Sequence, residues 1–400
     1  MNILMMSLMY PDDMLEEAAR NSRDGLQNQI NSYQRAFVEG IDANLREGER
    51  LEILNGLPVG SFPTHYRKLV IRGGMHGKRL RELGCLNLPW FKQRGRRRRA
   101  QRELLKWVGR DPHNRTVLLY TLYLPFMQAV ANAKKKCPDL RASVIVTDLP
   151  NELGISSGRR GFLKRIEHAM GSDSMRLCSA FDGFALLTRQ MADVLPIEDK
   201  AQIVIEGLIT ESGRQEKADR GANNRPAILY TGTLNRELGI ADLLEAFENL
   251  PECDLWLCGK GDMEAQARQS AEKHANIRYY GFVPQKEAIE LQARATLLVN
   301  PRSPEGVFTR YSFPSKTLEY MRSGKPVLCY RLDGIPEDYD AYLYYIEQAG
   351  AQGIAAAVRL LLKLPASELA RRGEAGRRYV LENKNPRVQC ARLLKMLRGL

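Results

Sequence analysis

This chain predicts an α/β protein built from two parallel-sheet domains, on three observations. In its second half, apolar strand-like runs alternate regularly with helical ones, the order that produces a parallel sheet. Its 400 residues exceed one ordinary core, while 44% hydrophobic and 27% charged residues are globular composition. Segment 209–226 is polar, lacks any hydrophobic period and reads as a linker between domains 1–208 and 227–384.

Residues 1–10 hold an apolar strand, 2–9, that runs into Pro11-Asp12-Asp13, which does not fit a secretion signal. A helix is expected over about 25–45, then irregular basic chain over 50–115. The longest uncharged run, 117–133, is interrupted by Pro125, Gln128 and Asn132. It is therefore read as a strand (117–123) and a helix (125–136) instead of a membrane span. A further strand is expected at 143–147. The second half gives strands 227–231, 254–258, 277–281, 295–300 and 326–330, with helices over 239–249, 262–274 and 285–293, and 385–400 reads as a short amphipathic helix. Seven cysteines without a Cys-x-x-Cys pair point to reduced thiols in the cytoplasm and not to a disulfide framework or zinc site. The histidines at 65, 76, 113, 168 and 274 show no metal-ligand spacing.

Segment 312–328 carries the most chemistry. Ser312 suits a helix N-cap, Pro314 the first turn and Gly324 the stop, giving a helix of roughly three turns. Its N-terminal amides would face an anion, with Lys316 adding a full charge. Glu319 lies one turn beyond Ser315 on the same face, Leu318 and Met321 form the core side, and 325–330 reads as a buried strand. An ordinary capped helix with Glu319 in solvent is the alternative. Open parallel sheets bind ligands at the carboxyl ends of their strands. There this chain places Gly232 and Arg236 after one strand and Gly259-Lys260-Gly261 after the next. Glycine admits a phosphate to the backbone and arginine supplies charge, although a lone Gly-x-Gly also suits a tight turn.

The stretch Leu318-Glu319-Tyr320-Met321-Arg322-Ser323-Gly324-Lys325-Pro326-Val327 resembles the signature of the retaining, nucleotide-sugar-dependent glycosyltransferases of family 4. That signature is a helix carboxylate followed by Ala-x-Gly-x-Pro-Val, and Arg322 stands where a small residue is usual. The loops at Gly232, Gly259, Phe282 and Asn300-Pro301-Arg302 follow in matching order and spacing. The resemblance implies the GT-B fold, two Rossmann-like domains facing each other across a cleft. In it 227–384 holds the nucleotide sugar, 1–208 binds the acceptor, and the last helix, 385–400, crosses back onto the first domain. It implies that Glu319 hydrogen-bonds the ribose, that the amides from Ser312 to Ser315 and Lys316 hold the diphosphate, and that Gly232, Arg236, Gly259, Gly261 and Arg302 line the donor. Phe282 and Val283 would meet the base edge, Gly25 would face the donor phosphate, and Asp148 would stand near the reacting sugar. A turn or N-cap role is the alternative for Asp148. Tyr311 replaces the family's other glutamate, and Thr233 and Leu238 stand where diphosphate-binding cations are usual, so Arg236, Lys316 and Arg302 or Arg310 would substitute. Tyr-Ser-Phe-Pro-Ser-Lys, at 311–316, resembles a subgroup from surface-polysaccharide gene clusters.

Sixty Lys and Arg against 47 Asp and Glu give a net charge of +13. Segment 92–102 packs seven cations into eleven residues beside Trp90. Basic residues next to tryptophan suit an anionic lipid surface, with Trp90, Arg96, Arg97, Arg98 and Arg99 as the contacts. A solvated charge run and a nucleic-acid patch are the alternatives, but no nucleic-acid-reading motif accompanies the arginines.

The function these readings lead to is transfer of a sugar from a nucleotide diphosphate sugar to a hydroxyl of a lipid-linked glycan in bacterial surface-polysaccharide biosynthesis. Transfer is expected to retain configuration and to need neither metal nor cofactor, in the cytoplasm at the inner face of the membrane. A catalytically silent GT-B partner subunit and a nucleic-acid-binding protein using 92–102 are the alternatives.

Overall fold

The computed structural model describes residues 1–110, 113–149, 171–210 and 225–400; most of the expected linker, 211–224, lies outside the described residues. The chain divides into two units, Met1–Leu208 with Pro386–Leu400, and Ile209–Asn385.

The first unit contains β1 (Asn2–Ser7), β2 (Arg50–Asn55), β3 (Val70–Ile71), β4 (Gly74–His76), β5 (Leu80–Glu82), β6 (Cys85–Leu86), β7 (Arg115–Tyr120), β8 (Arg141–Val146), β9 (Gly183–Leu186) and β10 (Ala201–Val204). Eight of these form one sheet in the order β10-β9-β8-β7-β1-β2-β5-β4, parallel except for the β4–β5 edge. Its central strands are covered on both faces, which is why β1, β7 and β8 read as continuous apolar runs and not as alternating ones. Strands β3 and β6 pair antiparallel as a separate ribbon. The terminal helix Pro386–Gly399 belongs to this unit. Its Cys390, Leu393, Leu394 and Leu397, spaced as one helical stripe, are fully buried against Phe37 and Ile41 of helix Asn28–Asp42 and against Ile3 and Met5 of β1.

One expectation for this unit holds and one needs correcting. The helix expected over about 25–45 is present as Asn28–Asp42, and a separate helix Leu15–Asn21 precedes it. The stretch 50–115 is not irregular: it holds β2 to β6 and the 22-residue helix Pro89–Arg110, which contains the whole arginine run. Lys92, Arg96, Ala100, Leu104 and Val108 recur every fourth residue and are all buried. Two members of that stripe carry charge, so it does not register as an apolar period.

The second unit is a six-stranded, wholly parallel sheet of β11 (Ala227–Thr231), β12 (Asp254–Cys258), β13 (Ile277–Gly281), β14 (Leu297–Asn300), β15 (Val327–Tyr330) and β16 (Leu343–Ile346). Helices Ile240–Glu248, Glu264–Lys273, Gln285–Arg294 and Ser315–Arg322 connect strands, and Gly350–Leu362 and Ala366–Asn383 follow β16. The strand order is β13-β12-β11-β14-β15-β16. Counted from β11 this is the doubly wound order 3-2-1-4-5-6, so the winding reverses between β11 and β14 and a crevice opens at their carboxyl ends.

Candidate active site

At that switch point the loops after β11 and β12 extend the sheet past its edge. The Gly232 amide donates to the Cys258 carbonyl (2.9 Å) and the Gly259 amide to the Gly281 carbonyl (2.8 Å). A side chain on Gly259 would place its Cβ 1.7 Å from the Gly232 oxygen, and one on Gly261 would lie 2.2 Å from the Leu234 oxygen; both positions demand glycine. The Arg236 amide donates to Asp262 Oδ1 (3.0 Å) and the Asp262 amide to Asn235 Oδ1 (3.2 Å), pinning the two loops together. The Arg236 guanidinium itself is exposed and bonds to no other described residue.

Helix Ser315–Arg322 follows β14 and is tied to both sides of the switch point. Tyr320, fully buried, accepts from the Thr231 amide (2.8 Å) and donates to the Thr231 carbonyl (3.1 Å); burial pushes its phenol far above the usual range. Asn300 Nδ2 donates to Thr317 Oγ1 (3.3 Å). Glu319 uses both carboxylate oxygens: Oε2 pairs with Lys316 Nζ at 2.7 Å, and Oε1 accepts from Gln292 Nε2 at 2.9 Å. Lys316 and Glu319 are each about one-third exposed, whereas Gln292 is 1% exposed. Arg302 Nη2 donates to Ser312 Oγ (2.5 Å), and burial lowers its guanidinium below the usual value. Arg310 turns to Asp333 at 3.5 Å.

Ser312 is not the helix cap. It is extended (φ −137°, ψ 133°), and the helix starts at Ser315 with Pro314 preceding it. Proline disfavours helical geometry in the residue before it, here Phe313, so the turn cannot begin earlier. The Thr317 amide makes its bond to the Pro314 carbonyl (2.8 Å). Ser315 stands exposed on the first turn. Gly324 ends the helix as expected, at φ +76°, and Leu318 and Met321 are buried. Phe282 is 71% exposed with Lys260 Nζ 5.7 Å from its ring centre, and Val283 is half-buried. Tyr311 is buried.

In the first unit, Gly25 (φ +80°) lies in an exposed loop where its carbonyl accepts from Ser22 Oγ (2.7 Å). Asp148 is exposed just past β8 and accepts from Thr147 Oγ1 (3.0 Å). Trp90, Arg98 and Arg99 are exposed. Arg96 is not on the surface: at 3% exposure it donates to the Leu57 carbonyl and to Tyr123 Oη (3.2 Å), and Lys92 donates to the Val59 carbonyl. Both sit on the buried stripe of their helix. Arg97 is half-buried, donates to Gln128 Oε1 (3.3 Å) and lines a cavity of about 620 Å³ with Asn132 and Lys134. Beside Arg96, burial pushes the Glu82 carboxyl up to about 7, although the Leu57 amide (2.9 Å), Arg96 and Asn55 Nδ2 (2.6 Å) all favour its charged form.

Gln292 and the Thr231–Tyr320 link went unrecognised in the sequence. Gln292 is a single glutamine in a polar helix, and only the packing of Gln285–Arg294 on β11 turns it towards Glu319. Among the described residues, no cluster of His, Cys, Asp or Glu is arranged to hold a metal ion, and no helix is long and apolar enough to cross a membrane.

Residues 213–379 match the family model described as glycosyl transferases group 1. The chain is similar to the O-antigen chain mannosyltransferase B of Escherichia coli, with 28% identity over 160 residues; the match covers 38% of this chain and only 35% of that protein, about a third of its length. Among solved structures, sucrose-phosphate synthase from Thermosynechococcus elongatus superposes with a TM-score of 0.66 at 14% identity, covering all of both chains. The Anabaena protein HepE, solved in complex with UDP, does so with a TM-score of 0.64 at 13% identity, again covering all of both. The doubly wound sheet, the glycine loops at its switch point and the family match agree: residues 213–379 carry a domain of the glycosyl transferases group 1 family, and the chain as a whole has the GT-B fold of two Rossmann-like domains.

Proposed function

We propose that the chain transfers a sugar from a nucleotide diphosphate sugar to a hydroxyl of a lipid-linked glycan during bacterial surface-polysaccharide assembly, with the second unit holding the donor and the first the acceptor. The observation that carries this reading is Glu319, a carboxylate fixed by Gln292 and Lys316 at the switch point of the second sheet. There it accepts from the ribose hydroxyls through lone pairs those two donors leave open. The amides that open helix Ser315–Arg322, with Lys316, Arg236 and Arg302, hold the diphosphate and stabilise the charge it gains as it leaves. The acceptor oxygen bonds to the anomeric carbon on the face from which the phosphate departs, the carbon–phosphate oxygen bond breaks, and the acceptor proton passes to the leaving phosphate. Configuration is retained, and neither a metal nor an enzymic nucleophile takes part. Asp148 acts on the acceptor side. The curated relative's name makes nucleotide-activated mannose the first donor to try.

Thermal-shift screening with UDP-, GDP- and dTDP-sugars identifies the donor. With it, Glu319→Ala and Lys316→Ala each lower transfer about 100-fold, the scale of losing one preorganised charged contact, while the circular dichroism spectrum is unchanged. Near-normal turnover in both variants would remove this site from consideration.

A further inference from the structure

Six of the twelve large hydrophobic side chains exposed among the described residues fall within residues 69–91: Leu69, Val70, Met75, Leu86, Trp90 and Phe91. Trp90 and Phe91 are each 61% exposed and Val70 56%. Their backbone is firmly held. Val70 pairs directly with Leu86 in the β3–β6 ribbon, so the two side chains are neighbours on one face, while Ile71 and Cys85 point into a buried cluster with Tyr66. The fully buried Asn87 donates through its backbone to the Leu69 carbonyl (2.7 Å) and through its amide to the Gly60 (3.0 Å) and Lys68 (3.2 Å) carbonyls. Helix Pro89–Arg110 starts two residues later, which puts Trp90 and Phe91 on its first turn beside the ribbon. The patch is thus an ordered surface that folding leaves uncovered.

Charge identifies what covers it. Residues 67–98 contain eleven Lys and Arg and a single acidic residue, the buried Glu82; Lys68, Arg79 and Arg81 pair with Glu17, Asp42 and Glu103, and Lys92 and Arg96 are buried, which leaves six cations of the segment to set the charge of the surface. Arg72, Lys78 and Arg98 are exposed and bond to no other described residue, and Arg94 lies over Trp90, 5.2 Å from its ring centre. A second copy would bring like charge against like. A nucleic acid would match the charge but leave Leu69, Val70 and Leu86 without an apolar partner. An anionic lipid bilayer satisfies both, taking aliphatic and aromatic side chains into the headgroup boundary while the cations meet its surface charge.

We propose that the β3–β6 ribbon and the first turn of helix Pro89–Arg110 form a membrane-insertion surface for anionic lipid. The contacts are Val70, Leu86, Trp90 and Phe91 with Arg72, Lys78, Arg94 and Arg98, and not the buried Arg96. The surface deepens the reading of a lipid-linked acceptor, but its test uses neither donor nor acceptor. Trp107 and Trp256 are buried at 5% and 2%, so Trp90 alone among the three tryptophans reports on the surface.

The full chain is titrated with vesicles of phosphatidylcholine alone and of phosphatidylcholine with 30% phosphatidylglycerol, following tryptophan emission and co-sedimentation. The expected result is a blue shift and sedimentation with the anionic vesicles only, about tenfold weaker in Val70→Glu/Phe91→Glu and in Arg94→Gln/Arg98→Gln, with melting temperatures near that of the parent. Unchanged emission and no sedimentation overturn the proposal, as does binding that both double variants retain. Self-association that Phe91→Glu abolishes, or salt-sensitive RNA binding without vesicle binding, overturns it in favour of those partners. If the donor assays fail while vesicle binding stands, the transfer reading falls and the surface remains.

Discussion

Glu319 receives two hydrogen bonds, one from a cation on its own helix and one from an amide that solvent does not reach. The two differ in kind. Lys316 is partly exposed and able to turn towards a phosphate; Gln292 is enclosed between Glu319 and Thr231 and fixes the carboxylate's direction. Gln292→Leu keeps the volume and removes the donor, at a net cost of about 1 kcal/mol for one hydrogen bond to a charged partner that retains another. Nucleotide affinity is therefore expected to fall five- to tenfold by calorimetric titration, with kcat changed less than donor KM. Equal affinity in parent and variant would show that Lys316 alone orients the carboxylate.

At the scale of elements, helix Pro89–Arg110 anchors the loops at the carboxyl edge of the first sheet with charged groups turned inward. Arg96 reaches Leu57 after β2 and Tyr123 after β7, Lys92 reaches Val59, and Glu82 at the end of β5 receives Leu57 and Asn55. Removing the guanidinium takes the donor from the buried Leu57 carbonyl and a nearby positive charge from Glu82, so Arg96→Met should cost about 3 kcal/mol in denaturant unfolding of the first unit. The same cluster sets a pH dependence. Glu82 ionises near 7 in the folded chain but near 4.5 when unfolded, so between those values the folded chain holds a proton the unfolded chain has released. Its contribution to stability therefore falls as pH rises from about 4.5 to about 7 and is level above that. Arg96→Met raises Glu82 further, and the decline in melting temperature should then continue past pH 7; a flat profile there would separate the two residues.

Across the whole molecule, the first unit is completed by the end of the chain. Cys390, Leu393, Leu394 and Leu397 are fully buried in the cluster that contains β1, and Arg398 binds Glu49 (2.7 Å), holding that carboxyl down at about 2. Deleting 386–400 exposes three leucines' worth of core, about 6 kcal/mol at roughly 2 kcal/mol each. That is comparable to a domain's whole stability. Proteolysis of the truncated chain is expected to spare Ile209–Asn385 and digest Met1–Leu208; equal resistance of both units would show that the last helix is dispensable.

Much of this was legible in the residues themselves. Strands 227–231 and 254–258 and the helix stop at Gly324 were readable because each rests on short-range rules: apolar runs buried on both faces, and a left-handed residue only glycine adopts cheaply. Glu319 and Lys316 were readable from their place on one helix turn. Tertiary structure decided the rest, because it depended on partners distant in sequence. The 3-2-1-4-5-6 strand order created the crevice, and the packing of Gln285–Arg294 brought Gln292 to Glu319. Pro314 together with Arg302 moved Ser312 from cap to hydrogen-bond partner. A residue's charge says what desolvating it costs but not whether a fold supplies the compensating contacts. The sequence therefore determined that a run of cations would stand beside tryptophan, and only the fold made that run a helix and decided that Arg96 faces inward while Trp90 and Arg98 face out.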